Sequence, residues 1–164
     1  MGVTEELVAA NQQFAESYTL GQLPMPPARH VAVLACMDAR LHPEKVLGIE
    51  IGDAHVIRNA GGRVDPGALR SLIISQKLLG PTEVLVIHHT DCGMLTFTNE
   101  DLHKKLIEET GADASNIDFL PFSDLAQSVR DDVAAITSSP FINPGAKVTG
   151  YIYDVATGRL EPVA

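Results

Sequence analysis

The chain has no tryptophan, and its aromatic side chains amount to three tyrosines and five phenylalanines in 164 residues. Few large rings are therefore available to wall a pocket. No apolar run approaches the ~18 residues that a membrane-spanning helix requires. Near the N-terminus, Glu5 and Glu6 stand where a secretory leader would carry lysine or arginine. Lysine and arginine together number 12 against 21 aspartates and glutamates, for a formal charge of −9. With no basic cluster to offset that charge, nucleic acid and anionic membrane are poor partners. Most of the negative charge reads as solvated surface. Internal repeats and low-complexity tracts are also missing. These absences leave a soluble, cytoplasmic protein as the expectation.

What remains is ordinary for a globular chain: 45% hydrophobic and 20% charged residues. The length suits one domain spanning 1–164, able to bury about 70% of the surface its unfolded chain exposes. Within it, Leu23-Pro24-Met25-Pro26-Pro27 excludes helix and reads as an extended arm. The arm divides an N-terminal helix, within 1–27, from a body over 28–164. That helix is expected to start at Thr4 as cap, with Glu5 and Glu6 at its positive dipole end and Leu7, Ala10 and Phe14 on one face.

In the body, four apolar segments read as strands: His30–Ala35, Ala54–Ile57, Val84–Ile87 and Val148–Asp154. Short continuous apolar runs suit strands buried on both faces, as in a parallel sheet. Between them lie helical signals. Asp65-Pro66 opens one helix and Gly80-Pro81 closes it. Asn99 is expected to cap a polar helix ended by Gly111, and Ser123 another whose apolar face is Ala126, Val129, Val133 and Ile136. Ala156-Thr157-Gly158 reads as a turn that returns residues 159–163 as an antiparallel edge strand. The expected fold is α/β: a mainly parallel four-stranded sheet, helices on both faces, and that C-terminal edge strand.

Ligands of such sheets collect beyond the carboxyl ends of the strands. Cys36 follows the first strand, and His89 and Cys92 follow the third. The two cysteines alone admit three readings: a disulfide, two unrelated buried thiols, or shared metal ligation. The neighbouring residues favour the metal. His89 and Cys92 are close enough in sequence to point at one ion, and two thiolates with one imidazole make a tetrahedral zinc shell with an open position. That is how catalytic zinc is held, whereas a structural site wants four protein ligands. His88 is excluded from the set, because strand alternation sends it to the other face. Asp38 and Arg40 are expected to form a bidentate pair. The pair keeps the Asp38 carboxylate off the metal and lets it orient the hydroxide that zinc generates from water. Taken singly, Asp38–Arg40 also fits a surface ion pair, and His89 a hydrogen-bonded core histidine.

These segments match a family pattern. Cys36-Met37-Asp38-Ala39-Arg40 resembles the Cys-x-Asp-x-Arg motif of β-carbonic anhydrases. His89-Thr90-Asp91-Cys92-Gly93 resembles that family's His-x-x-Cys-Gly segment, and Arg58-Asn59-Ala60-Gly61 its Arg-Asn-Ala-Gly loop. The resemblance implies one Zn2+ per chain on Cys36, His89 and Cys92, an Asp38–Arg40 dyad, and a substrate pocket lined by Asn59, Ala60 and Gly61. It also implies a homodimer or dimer of dimers, with the N-terminal arm over the partner and 28–164 as catalytic body. The short length resembles a compact subgroup that holds both true carbonic anhydrases and carbonyl sulfide hydrolases. Reversible hydration of CO2 to bicarbonate is the leading expectation, with carbonyl sulfide hydrolysis at the same site as the alternative. A non-catalytic zinc module or a thiol-redox protein is a remote third, the latter lacking a Cys-x-x-Cys motif. Leu41, Gly62, Met94, Leu95 and Phe97 are expected pocket walls, and His42 and His55 are proton-shuttle candidates by intrinsic pKa alone.

Overall fold

The computed structural model describes residues 2–164. In chain order its elements are α1 (Val3–Glu16), β1 (Val31–Cys36), α2 (Pro43–Leu47), β2 (Ala54–Asn59), α3 (Pro66–Leu79), β3 (Glu83–His89), α4 (Asn99–Thr110), α5 (Leu125–Thr137), β4 (Lys147–Tyr153) and β5 (Leu160–Pro162). Short 3₁₀ turns occupy Ala60–Gly62 and Gly93–Leu95.

The strands form one sheet in the order β2-β1-β3-β4-β5, parallel throughout except for β5, which runs antiparallel to β4. The expected parallel sheet with an antiparallel edge is thus the one found. Ala32 to Cys36 are all buried, which accounts for the unbroken apolar run. Alternate residues serve different layers. Ala32, Val84 and Val86 pack with Leu72 of α3 and Ile136 of α5. Val33, Ala35 and Ile87 face the opposite side, where Leu41, Met94 and the apolar residues of α2 cover them. Helices α3 and α5 therefore sit on one face, and α2 with the loops after β1 and β3 on the other.

Three helix starts differ from expectation by one or two residues, and at α4 and α5 the shift favours a side chain that accepts a backbone N–H. Before α1, the Gly2 N–H donates to the Glu5 carboxylate at 2.8 Å, so Thr4 lies inside the helix. Thr98, not Asn99, caps α4: its side chain accepts the Asp101 N–H, and the Asp101 carboxylate accepts the Thr98 N–H at 3.0 Å. That reciprocal arrangement satisfies two donors at once. Asp124, not Ser123, caps α5, accepting the Gln127 N–H at 2.9 Å. Asp65 caps α3 as expected, and Gly80 ends it at φ 87°. The helix α2 was not foreseen. Its five residues, between Pro43 and a left-handed Gly48, are too few to show a period.

No residue of α1 is buried, and Leu7 and Phe14 are 66% and 50% exposed. Among the described residues, no helix is long and apolar enough to cross a membrane.

The seat of α5 on the sheet depends on one missing side chain. A Cβ at Gly150 of β4 would run into Val129 Cγ1 and lie 3.0 Å from Val133 Cγ2. Gly150→Ala is expected to destabilise the fold by about 1–3 kcal/mol, as overpacking does. Denaturant unfolding measures this, and a midpoint equal to that of the native protein would contradict so close an approach of α5 to β4.

Candidate metal centre

β1 and β3 are neighbours in the ladder, with Ala35 opposite Ile87. Their carboxyl ends therefore lie side by side, and the chains leaving them share one edge of the sheet. Cys36 ends β1, His89 ends β3, and Cys92 follows a tight bend in which Asp91 takes φ 55°. The ligating atoms of Cys36, His89 and Cys92 lie within 4.8 Å of one another, and all three residues are buried.

The donor set fits zinc. Zn–S bonds of about 2.3 Å and Zn–N of about 2.0 Å put tetrahedral ligand atoms roughly 3.5–3.8 Å apart, within the observed span. His89 Nδ1 lies 2.8 Å from the Thr90 carbonyl oxygen, which accepts its proton. That leaves Nε2 as the lone-pair nitrogen, and Nε2 is buried without a hydrogen-bond partner. An orphaned buried acceptor beside two thiols is a strained arrangement for protein atoms alone and a satisfied one around a cation.

The acid–base behaviour points the same way. Cys36 is lowered to about 4, chiefly by its hydrogen bond with Cys92, with burial opposing and His89 assisting. Cys92 is driven up by that same hydrogen bond and by burial. Two thiols this close share one negative charge between them, because a second would meet the first across a few ångströms of low dielectric. For His89, burial opposes the charged ring, but the closeness and charge of the Cys36 sulfur outweigh it and shift the imidazole upward. A dication resolves the competition by letting both sulfurs ionise.

Asp38 and Arg40 stand at the rim. Arg40 Nε and Nη2 donate to Asp38 Oδ1 and Oδ2 at 3.0 and 2.8 Å. The Arg40 backbone N–H adds a third bond at 2.8 Å. Hydrogen bonding by Arg40 holds the Asp38 carboxyl well below the usual range. Asp38 Oδ2 is 3.7 Å from His89 Nε2, close to the ligand atoms while turned toward Arg40. Sequence reasoning missed Asp91. Its Oδ2 accepts Arg40 Nη1 at 2.7 Å and its carbonyl oxygen accepts Nη2 at 3.0 Å. No local spacing marks that pairing, which depends on the left-handed bend. Arg58 braces the loop beneath, donating to the carbonyl oxygens of Cys36, Asp38 and Leu41.

A cavity of about 460 Å³ opens over these groups, with Cys36, Asp38, His89 and Cys92 lining it together with Met37, Ala60, Gly61, Met94 and Phe97. Of the expected pocket residues, Ala60 and Gly61 line it. The Asn59 side chain turns away, donating to Arg63 O at 2.7 Å and Asp65 Oδ2 at 3.1 Å. Leu41 is packed in the core behind the site, Gly62 is buried outside the cavity lining, and Leu95 lines a neighbouring hollow. His42 is exposed beside Glu44, and His55 of β2 pairs with Ser75 of α3; neither borders the cavity.

Comparison with known proteins agrees with the geometry. The profile describing carbonic anhydrase matches residues 31–160. The chain belongs to the β-carbonic anhydrase family. β-Carbonic anhydrase 1 of Mycobacterium tuberculosis is 45% identical over 165 residues, covering 99% of both chains. A carbonic anhydrase from Streptococcus mutans superposes with a TM-score of 0.95 at 44% identity, over 100% of this chain and 99% of that one. A carbon disulfide hydrolase of an Acidianus strain is 35% identical, covering 97% of this chain and 90% of its own. In this β-carbonic anhydrase family member, Cys36, His89 and Cys92 are the group positioned to hold zinc.

Cys36→Ser and Cys92→Ser are each expected to lower bound zinc from about one ion per chain to a small fraction, since each removes one of three protein ligands. Elemental analysis after gel filtration measures the ratio. Full zinc retention by either variant would contradict the assignment.

Proposed function

We propose that the protein catalyses reversible hydration of CO2 to bicarbonate. The observation that carries this reading is the three-ligand cluster beside a carboxylate locked by arginine, lining a largely apolar cavity. Cys36 Sγ, His89 Nε2 and Cys92 Sγ would hold zinc, which as a Lewis acid would supply a nucleophile from water near neutral pH. The chain's own residues do the rest. The Thr90 carbonyl fixes the His89 tautomer, so that Nε2 presents its lone pair. Asp38, kept ionised by Arg40, accepts the O–H of the nucleophile and aims its lone pair at the substrate carbon. Because Arg40 occupies both Asp38 oxygens, it restrains the carboxylate from closing onto the metal. Ala60, Gly61, Met94 and Phe97 exclude bulk water and suit a small linear molecule without hydrogen-bonding demands.

The apolar walls also favour a second reading: hydrolysis of carbonyl sulfide, or of carbon disulfide as the Acidianus relative's name indicates for that protein. Sulfur is larger and accepts hydrogen bonds poorly, so width and apolarity decide between substrates. Support for CO2 first comes from the 45% identity to a protein named for carbonic anhydrase activity.

A second copy of the chain as partner fits two exposed surfaces. One is the apolar side of α1. The other is a groove of about 250 Å³ lined by half-buried Val31, Leu47 and Leu85. The N-terminal arm, with Leu23 resting against Gly52, has the reach to exchange α1 between subunits of a homodimer or dimer of dimers. Two unpaired buried cysteines suit the cytoplasm.

Asp38→Asn is expected to retain zinc and to lose CO2 hydration by about 10²-fold or more, the scale of an acid–base or orienting group. Stopped-flow assays with CO2, run beside assays with carbonyl sulfide and carbon disulfide, read both points. Native turnover of a sulfur substrate far above that of CO2 would reverse the preference. Deleting residues 1–26 is expected to lower the assembly state in sedimentation, and an unchanged oligomer would remove α1 from the interface.

A further inference from the structure

Behind the ligand cluster, on the other face of the sheet, lies a buried polar group that the chemistry above does not use. Consecutive side chains of β3 point to opposite faces, so His88 is directed toward α5. It is fully buried, with Nδ1 2.8 Å from Ser128 Oγ and Nε2 3.1 Å from Asp132 Oδ2. The contact to Asp132 is close and polar, though off the line of a well-formed hydrogen bond. Asp132 Oδ2 also accepts Arg63 Nε at 2.7 Å, and Oδ1 accepts the Val64 backbone N–H at 3.1 Å. Arg63 Nη1 donates onward to Leu120 O at 2.8 Å. The Phe122 ring stacks on His88 at 5.5 Å and lies under the Arg63 guanidinium at 5.4 Å.

Asp132 therefore grips two segments at once. One is the end of β3, immediately before the ligand His89. The other directly follows the Ala60–Gly62 turn, which supplies cavity wall through Ala60 and Gly61. That turn has no long side chain with which to anchor itself, and Gly61 and Gly62 both take positive φ. It presses directly on the ligand-bearing strands: a Cβ at Gly62 would lie 2.8 Å from Cys36 N and 3.0 Å from Ile87 O. Asn59 holds one side of the turn through Arg63 O. On the other side, orientation comes from the side chain of Arg63 and the N–H of Val64, both bound to one carboxylate. Charged groups as buried as Asp132 and Arg63, 5% and 13% exposed, contribute little net stability as a pair. What such a pair supplies is fixed geometry, since charge-assisted bonds are short and directional.

We propose that Asp132 is a positioning residue for substrate. It holds the Ala60–Gly61 wall against the ligand strands and so sets the cavity width open to a small linear molecule. This rests on the reading that the cavity binds such a substrate.

The test uses zinc-loaded, full-length Asp132→Asn and Arg63→Gln, which cut the same tie from opposite ends. Both are expected to keep one zinc per chain and to raise KM for CO2 about tenfold with kcat within about twofold, the signature of lost positioning in binding. The double variant is expected to cost no more than either single one. Hydrogen exchange at the Gly61–Val64 amides should quicken in Asp132→Asn while the amides of β4 stay unchanged. A native KM in either folded variant, or a KM rise that tracks lost zinc, would overturn the proposal. Should neither variant fold, exchange in the native protein decides: slow Gly61–Val64 amides support the tie, and amides as fast as those of exposed loops refute it. An inactive zinc-loaded native protein would instead count against CO2 as substrate, a separate result from unaltered exchange in Asp132→Asn.

Discussion

Parallel pairing of β1 with β3 is the constraint from which the site follows. Parallel strands discharge their chains at the same edge of a sheet. With Ala35 held opposite Ile87, Cys36 and His89 emerge as neighbours although more than fifty positions separate them in sequence. The residues that make the ladder rigid are unremarkable: Ala32, Val33, Leu34 and Ala35 on one strand, Val84, Val86 and Ile87 on the other, all fully buried. Close packing of this kind resists sub-ångström adjustment, and a site of three short side chains needs that resistance, since none is long enough to compensate for a displaced backbone.

The charge arrangement follows from the same crowding. Two sulfurs and an imidazole meet in a dry corner, where ionising both thiols without a cation is opposed by burial and mutual repulsion. Outside that corner, one guanidinium is shared by two carboxylates. Asp38 is bound through both oxygens and the Arg40 backbone N–H, whereas Asp91, with a side chain 78% exposed, keeps an alternative partner in solvent. Asp38 is thus the member with little freedom, which suits a group whose orientation matters more than its strength as a base.

Much of this was legible in the residues. Asp65-Pro66 and Gly80-Pro81 bracket α3 because cap chemistry is local, and the apolar runs located β1 to β4 because both sheet faces are covered. The Cys36, His89 and Cys92 convergence was readable once strand ends were expected to cluster. Other features depend on which polar groups meet, some of them a few positions apart and others distant in the chain. Thr98 outcompetes Asn99 as a cap only because Asp101 returns a bond to it. Asn59 sits in the right loop, yet its amide is drawn away by Arg63 O and Asp65. Nothing near Asp91 announces that a left-handed bend will aim it at Arg40, and α5 carries Asp132 to Arg63 across sixty-nine positions. Apolar periodicity describes what is buried; it says little about which polar group a buried polar group will meet.

The back-to-back histidines on β3 carry a consequence for length. In a pleated strand, facing is a matter of parity: odd and even positions belong to different compartments. Removing one residue from 83–87 while keeping the ladder would turn the ring now beside Ser128 to the ligand-bearing face of the sheet, and turn the other toward α5. Only even steps within this strand leave each histidine on its own face. Insertions and deletions are left to the turn at Gly80–Thr82 and to the stretch beyond Cys92.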